Sequence, residues 1–351
     1  MTPKVSIVIP IYNVEAYVGD CIQSVLTQTF TDWEAICVND ASTDNSLVRV
    51  KETIAADPRF RIINHDVNQG LSAARNTGLA HTKGEYVLFL DSDDMYVPHA
   101  LERLVDVAGR NDLEVLDFNA EAFFEEGIDT ASRGEAEYLE RPNIEGIHSG
   151  PELFTLYNQQ DCYRPPAPFH FIKRVLIEET GLKFKQSILH EDELFSPLLH
   201  AHAKRAMFLN ERLYLYRIRS SSIVTKKRGI KNVAGLFTVT QELERWLNVH
   251  ANEYSPDFVE AFKHNVWVLR QSMARDILNC TGEDIVLFEE GLTPEQRTEF
   301  EKHGIQMAIE IERKQKSWKT KVGANLEKVL AVLPRNLSQL ARKTISKAAK
   351  E

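Results

Sequence analysis

A chain of 351 residues with 43% hydrophobic and 26% charged residues has the composition of a globular protein of about two domains. Its four cysteines form no C-x-x-C pair and show no metal-ligand spacing with histidine, which argues against a disulfide framework or a structural zinc site and favours a reducing compartment. The net charge of −9 argues against nucleic acid as the main partner.

The first 120 residues alternate short β-branched runs with stretches of helical periodicity, which is typical of βαβ units. Strands are predicted at residues 5–11, 35–38, 61–64, 86–90 and 115–118. Helices are predicted at residues 15–27, 45–56, 71–80 and 98–108, with Asn13 and Asp44 as candidate caps. The pattern predicts an α/β fold with a mainly parallel, doubly wound sheet and helices on both faces.

The first strand is also too short to span a membrane, and it lacks the basic start and the cleavage site of a signal peptide. We therefore expect a cytoplasmic protein.

Polar residues follow three of the predicted strands: Tyr12 and Asn13 after the first, Asn39 and Asp40 after the second, and residues 91–94 after the fourth. In open α/β sheets, ligands bind beyond the carboxyl ends of the strands. The three strand ends therefore predict one ligand-binding crevice.

The acidic sequence Asp91-Ser92-Asp93-Asp94 follows a short apolar run of the kind that forms a buried strand. Carboxylates this close together repel each other unless they are solvated or bridged by a cation, and hard divalent cations prefer oxygen ligands together with phosphates. A Mg²⁺ or Mn²⁺ site for a diphosphate is one interpretation. The other is a solvated turn in which Asp93 and Asp94 cap the next helix.

Four segments resemble family-2 glycosyltransferases with the GT-A fold, and they occur in the family's order and approximate spacing: VSIVIPIYN at 5–13, VNDASTD at 38–44, NQGLSAARNTG at 68–78 and LDSDD at 90–94. The resemblance is close over about the first 120 residues. It continues more weakly through HEDELF at 190–195 and YLYRIR at 214–219, and ends at about residue 225.

The resemblance implies that Pro10, Tyr12 and Asn13 line a pocket for the nucleobase, typically uracil, and that Asp40 hydrogen-bonds the base. An aromatic ring can stack on a base, and a carboxylate can accept the imide N–H of uracil. The alternative for Asp40 is a turn residue that stabilises residues 41–43.

At the acidic sequence the resemblance implies that Asp91 and Ser92 contact the nucleotide-sugar, with Asp91 on the ribose, and that Asp93 and Asp91 hold the metal. Arg75 and Asn76, near the start of a predicted helix, are candidates for binding the diphosphate or the donor sugar. Arg75 also has an alternative role, as the structural partner of a carboxylate such as Asp91.

Transfer with inversion needs a base on the acceptor side. Glu191 and Asp192 match the family's Glu-Asp pair, and we assign Asp192 as the base with Glu191 as the second candidate. The alternative is a charged helix start. His190-Glu191 begins like the zinc-protease motif H-E-x-x-H, but residue 194 is leucine, which argues against that class.

Arg217 and Arg219 follow a strand-like run and are candidates to neutralise the departing diphosphate. They are equally well placed in the sequence to be surface partners of an acidic protein.

The chain is predicted to have a donor-binding half at 1–120, an acceptor-binding half of the same domain at 121–225 and a helical region at 226–351. Residues 230–315 are predicted as helices with aromatic anchors Phe237, Trp246, Phe262 and Trp267. Residues 311–351 carry a net charge of +8 beside leucines at heptad spacing, while the rest of the chain carries −17. This basic tail predicts either peripheral contact with the inner membrane face or packing on protein, including self-association.

Together these features predict an inverting glycosyltransferase that uses a UDP-sugar donor and a glycan or lipid-linked glycan acceptor. A dehydrogenase should carry G-x-G-x-x-G after the first strand, and a P-loop enzyme should carry G-x-x-x-x-G-K-[ST]; both motifs are missing. The remaining alternative is a non-catalytic protein of the same fold that binds sugar nucleotides or acts as a scaffold.

Overall fold

The computed structural model describes residues 2–125, 139, 141–219 and 228–314. The chain divides into two compact units, of which the first comprises Met1–Ser187, Glu191–Thr225 and Glu253–Ala261, and the second comprises Ile188–His190, Lys226–Asn252 and Phe262–Glu351. Both predicted halves at 1–120 and 121–225 fall largely in the first unit. Of the predicted basic tail at 311–351, residues 315–351 lie outside the described residues.

The first four strands form the parallel half of one mixed sheet. They are β1 (Val5–Ile11), β2 (Trp33–Asn39), β3 (Phe60–Asn64) and β4 (Tyr86–Phe89), in the spatial order β3-β2-β1-β4. All residues of β1 and β4 are buried, as expected for apolar strands covered on both faces. The predicted α/β fold and these predicted strands are confirmed to within two residues at each end.

Antiparallel β8 (His170–Lys173) continues the sheet beside β4, and β6 (Val115–Phe124) and β9 (Ala206–Ile218) follow as a parallel pair. Two short strands, β5 (Met95–Tyr96) and β7 (Ile147–His148), pair antiparallel with β9. By pairing with β5, β9 brings Tyr214 and Leu215 beside Met95 and Tyr96, which directly follow the acidic sequence.

Helices cover both faces of the sheet. Successive residues of β1 show this, since they pack into two different hydrophobic clusters. Ile7 and Ile9 pack with helices α1 (Val18–Leu26) and α4 (Ala100–Asn111), whereas Val8 belongs to the cluster that contains residues of α5 (Gly150–Gln159) and α7 (Asp192–His202). In the described part of this unit, helices α2 (Ser46–Ile54), α3 (Leu71–Leu79) and α6 (Arg174–Thr180) are also present.

The predicted caps are wrong in detail. Helix α1 begins at Val18 after Tyr17, and Asn13 instead bonds the neighbouring loop. The cap position of α2 is Asn45, although Asp44 Oδ1 does accept from the backbone N–H of Ser46 at 2.9 Å. Asn13 accepts from Thr43 and Asp44 Oδ2 accepts from the backbone N–H of Glu15, so both side chains link the loop after β1 to the loop after β2.

The second unit is helical, as predicted. It contains α8 (Ile230–His250), most of α9 (Pro256–Ile277), α10 (Gly282–Glu290), α11 (Pro294–Phe300) and α12 (Gln306–Lys314). Phe237 packs edge-on against Phe288 and Phe300, and Trp246 stacks on Phe262. Trp267 was predicted as an anchor, which is wrong, because half of its surface is exposed. No helix in the described part of the chain is both long and apolar enough to cross a membrane.

Helix α3 lies so close to β1 that a side chain at Gly78 would overlap the Cγ atoms of the buried Val8. Gly78→Ala should therefore destabilise the protein by about 1–3 kcal/mol through overpacking. Gly109→Ala is the matched control, since a Cβ at this exposed position on α4 meets no atom within 4 Å, and it should be neutral or stabilising by up to about 1 kcal/mol. Urea unfolding of both variants measures the difference, and equal effects would contradict the packing.

Candidate active site

The loops after β1 and β2 are fastened to each other. Asn13 has a left-handed backbone with φ 51°, and its Oδ1 accepts from the backbone N–H of Thr43 at 2.8 Å. Tyr12 beside it exposes 47% of its surface. Pro10 is buried within β1, opposite Val38 of β2. The structure therefore leaves an aromatic ring accessible at this strand end, and the predicted base contacts of these three residues stay predictions.

Asp40 is buried and holds the loop after β3. Its Oδ1 accepts from the Gln69 backbone N–H at 2.8 Å and contacts His65 Nδ1 at 2.6 Å, and its Oδ2 accepts from the Gly70 N–H at 2.7 Å. Both oxygens thus already have partners, and the predicted bond to a nucleobase stays a prediction. The alternative role in the following turn belongs instead to Asn39, whose Oδ1 accepts from the N–H of Ser42.

The acidic sequence is a turn between β4 and β5, and it caps no helix. Helix α4 begins at Ala100 after His99, so the interpretation of Asp93 and Asp94 as helix caps is wrong. Asp91 and Asp93 are partly exposed, whereas Ser92 and Asp94 are buried. Two carboxylates at alternate positions therefore remain accessible to a ligand.

Asp94 fastens this turn to β9. Its Oδ2 accepts from the Tyr214 hydroxyl and its Oδ1 from the Arg217 backbone N–H, each at 2.7 Å. Burial, together with the charges of Asp93 and Asp91, raises the pKa of Asp94 well above its usual value. Its role is structural, and local sequence carries no signal for a contact that joins residues more than 100 positions apart.

Arg75 joins the two predicted carboxylate sites. The guanidinium is buried and donates from Nη2 to Asp91 Oδ1 at 2.8 Å and from Nη1 to Glu191 Oε1 at 2.7 Å. The structural pairing with Asp91 is therefore present, and the predicted contact with the diphosphate stays a prediction. Because Glu191 lies 116 residues from Arg75 in the chain, only the tertiary fold brings this third partner to the site.

Asn76 holds the segment before α7. Its Nδ2 donates to the Phe184 carbonyl at 2.8 Å, and its Oδ1 accepts from the Phe184 N–H at 2.9 Å. The ring of Phe184 in turn lies 5.2 Å from the Arg75 guanidinium. The amide of Asn76 is thus occupied within the protein, and its contact with the donor stays a prediction.

Glu191 and Asp192 stand at the start of α7, where Glu191 is buried and Asp192 is partly exposed. Burial raises the pKa of Glu191 to about 7. The Arg75 charge acts to lower this pKa, and the Asp192 charge acts to raise it. Burial likewise raises the pKa of Asp192 while Arg75 opposes the shift. Glu191 occupies the cap position without a side-chain cap, and Asp192 and Glu193 place negative charge in the first turn, so the charged helix start and the catalytic role both stay predictions.

Arg217 and Arg219, at the end of β9, bring positive charge to the acidic turn. Arg219 donates to Asp93 Oδ2 from Nε at 3.0 Å and from Nη2 at 2.8 Å, and Arg217 Nε donates to the Asp93 carbonyl at 2.8 Å. Arg217 also reaches Asp20 on α1. They are therefore partners of the acidic turn itself.

Comparison with known proteins identifies the family. Residues 6–169 match the family model "Glycosyl transferase family 2". The glycosyltransferase YibD of Escherichia coli K12 is 31% identical over 233 residues, which cover 66% of this chain and 67% of YibD. The E. coli enzyme WfgD, a UDP-Glc:alpha-D-GlcNAc-diphosphoundecaprenol beta-1,3-glucosyltransferase, is 35% identical over 117 residues, 33% of this chain and 46% of WfgD. The chain belongs to glycosyltransferase family 2, as predicted from its motifs.

Solved structures share the fold. S. aureus TarS 1–349 in complex with UDP-GlcNAc has a TM-score of 0.58 at 16% identity, with 97% of this chain and 87% of that chain covered. The mannosyltransferase PcManGT of Pyrobaculum calidifontis, in complex with GDP-Man and Mn²⁺, has a TM-score of 0.56 at 14% identity, with 94% and 88% covered. These similarities confirm the predicted GT-A type of architecture.

The raised pKa of Glu191 makes stability depend on pH. The folded chain holds this proton more tightly than the unfolded chain, so the contribution of Glu191 to stability is complete below about pH 4.5 and is lost as pH rises towards 7. Wild type should therefore lose on the order of 2 kcal/mol relative to Glu191→Gln across this interval. Urea unfolding at several pH values measures the difference, and a constant difference would contradict the burial of an ionisable Glu191.

Proposed function

We propose that the chain is an inverting, metal-dependent glycosyltransferase that moves a hexose or N-acetylhexosamine from a UDP-sugar to a hydroxyl of a glycan or lipid-linked glycan, in the synthesis of surface polysaccharide or glycoconjugate. The observation that carries the proposal is the Arg75 guanidinium, which lies between Asp91 of the donor-side turn and Glu191 beside the proposed base Asp192. A transferase needs a donor site and an acceptor-side base next to each other, and this contact supports that arrangement.

The proposed donor is a UDP-sugar. TarS binds UDP-GlcNAc and the name of WfgD specifies UDP-Glc, whereas PcManGT binds GDP-Man, so the nucleotide is inferred from two of three relatives. The accessible ring of Tyr12 offers a stacking surface for the base, and Asp91 offers oxygens to the ribose. A thermal-shift screen of UDP-, GDP- and dTDP-sugars tests the choice, and stabilisation by GDP-sugars alone would overturn it.

The acidic turn fits a divalent cation. Asp91 and Asp93 offer partly exposed carboxylate oxygens, the donors that Mg²⁺ and Mn²⁺ prefer beside a diphosphate. Arg219 donates to Asp93 Oδ2, so a cation bound at Asp93 would use the other carboxylate oxygen or displace this guanidinium. When bound there, the metal would supply positive charge to the diphosphate.

Asp192 would accept the proton of the acceptor hydroxyl as its oxygen bonds to the anomeric carbon. In the same displacement the bond from that carbon to the diphosphate oxygen breaks, so the anomeric centre inverts to a β-linkage and UDP leaves. The raised pKa of Asp192 improves its strength as a base near neutral pH. Arg217 and Arg219 would stabilise the negative charge of the leaving diphosphate.

The acceptor is proposed more broadly, as a glycan or a lipid-linked glycan, because the name of WfgD specifies a diphosphoundecaprenol acceptor. A lipid-linked acceptor would place the protein at the inner face of the membrane. Both interpretations of the tail, membrane contact and packing on protein, stay predictions. Liposome co-sedimentation with and without residues 316–351 separates them, since equal partitioning of both forms would exclude membrane contact by the tail.

Two amide substitutions separate the proposed roles of the carboxylates. Asp192→Asn should lower kcat about 10²–10⁴-fold with little change in KM for the donor, because it removes only the base. Asp93→Asn should abolish the increase in rate with Mn²⁺ and raise the donor KM. Asp32→Asn, on an exposed residue before β2, is the matched control.

UDP release from the donor identified by the screen measures both effects. Wild-type turnover in Asp192→Asn would contradict the assignment of the base. Donor binding by wild type without turnover on any acceptor would favour the non-catalytic alternative.

A further inference from the structure

A fully buried cluster of polar side chains joins α7 to the sheet on the face that also holds Val8. Asp117 of β6 contacts His170 Nδ1 of β8 through Oδ1 at 2.6 Å and His200 Nε2 of α7 through Oδ2 at 2.8 Å. The hydroxyl of Tyr157 on α5 donates to the same Oδ2 at 2.8 Å. All four residues are completely shielded from solvent, so every hydrogen must be accounted for within the cluster.

The two nitrogens of His200 both face acceptors. Nδ1 lies 2.8 Å from the backbone carbonyl oxygen of Ser196, and Nε2 lies 2.8 Å from the Asp117 carboxylate. A carbonyl only accepts, and an ionised carboxylate only accepts, whereas a neutral imidazole has a single N–H. The geometry therefore needs one proton more than a neutral His200 beside an ionised Asp117 provides.

That proton belongs on the imidazole. Burial alone would oppose ionisation of Asp117, but the charge of His200 and the hydrogen bonds from both imidazoles hold its pKa well below the usual range. His170 needs only its Nδ1 hydrogen for the bond to Asp117, and its Nε2 has no partner among the described residues, which fits a neutral ring. Burial also lowers the pKa of His170.

The other groups around His200 do not supply a second anion. Tyr163 and Tyr157 place their rings 5.9 and 6.1 Å from the His200 ring. Arg141 lies over the Tyr157 ring at 5.4 Å and adds a positive charge to this region. Among the described residues that contact His200, Asp117 is the carboxylate that balances the imidazolium.

Asp117, His170 and His200 are also residues of metal-ligating type, and their ligand atoms lie within 4.8 Å of one another. Tetrahedral zinc with bonds of about 2.0–2.1 Å would hold its ligand atoms about 3.3 Å apart. The contacts of 2.6 and 2.8 Å are instead hydrogen-bond lengths, and the nearby Arg141 charge disfavours a second cation. Protons explain these distances without movement of the side chains.

One member of the cluster, His200, lies on α7, the helix whose first residue is the proposed base Asp192. His200 follows Asp192 by eight residues on α7, about 12 Å along the axis. Helix α5 packs against the same turn, since a side chain at Gly150 would overlap the carbonyl of His200. A change in how His200 is held would therefore act on α7, the helix whose first residue is Asp192.

We propose that Asp117 and His200 form a proton-holding anchor that docks α7 on the sheet, and that both act as positioning residues for Asp192. The catalytic half of this proposal rests on the proposed function. The protonated state of His200 does not, so the two can fail separately.

Asp117→Asn tests the proton directly. The new amide can accept from His170 and donate to both His200 Nε2 and the Tyr157 hydroxyl oxygen, so His200 is satisfied without the extra proton, although the Tyr157 hydrogen loses its acceptor. Because Asp117 and His200 together hold one proton more than the same two groups hold in an unfolded chain at neutral pH, the unfolding constant of wild type should rise with pH more steeply than that of Asp117→Asn. Parallel curves for the two proteins would overturn the anchor.

Histidine-selective ¹⁵N NMR at pH 7 gives an independent measurement. Both His200 nitrogens should be protonated in wild type, and one should lose its hydrogen in Asp117→Asn. A neutral His200 in wild type, or one equivalent of tightly bound zinc that Asp117→Asn loses, would contradict the proposal.

Kinetics test the positioning role. His200→Gln cannot satisfy Asp117 and the Ser196 carbonyl together, so kcat should fall about tenfold or more while the donor KM stays within about twofold. Asp117→Asn keeps hydrogen bonds to both imidazoles but loses the ion pair, so its kcat should fall less than that of His200→Gln, and the exposed His99→Gln is the matched control. Unchanged kcat in a folded His200→Gln would overturn the positioning role, whereas an inactive wild type would count against the proposed function alone.

Discussion

The arrangement of the active site depends on one buried cation. Burial alone would lower the pKa of Arg75. The charges of Asp91 and Glu191 raise this pKa by more than burial lowers it, so the guanidinium stays charged. Removing one member of such a buried group leaves uncompensated charge, which typically costs about 3–5 kcal/mol. Because Asp91 follows β4 and Glu191 precedes α7, this single side chain links the proposed donor-side turn to the proposed acceptor-side helix.

The same charge balance separates the roles of the carboxylates. Asp94 is withdrawn into the protein by Tyr214 and by the Arg217 backbone, which leaves Asp91 and Asp93 for a ligand. Across Arg75, Glu191 and Asp192 lie in a setting that favours their protonated forms. One group of acids is thus suited to bind a cation and a diphosphate, and the other is suited to exchange a proton.

Local patterns were sufficient for the parallel half of the fold, because β1, β2 and β4 are apolar runs and the helices between them have clear periodicity. They were insufficient for β5, β7 and β8, which are two to four residues long and depend on pairing with distant strands. The family resemblance pointed to Asp91, Asp93 and Asp192. The bonds of Asp94, Asn76 and Asp117 join segments far apart in the chain, and no local spacing records them.

The most direct test of the account is the position of the metal when donor is bound. Crystals grown with UDP and Mn²⁺ and measured at the manganese absorption edge should show an anomalous peak beside the carboxylates of Asp91 and Asp93, with none between Asp117 and His200. A peak within the histidine cluster, or UDP bound with no manganese at the acidic turn, would contradict the account.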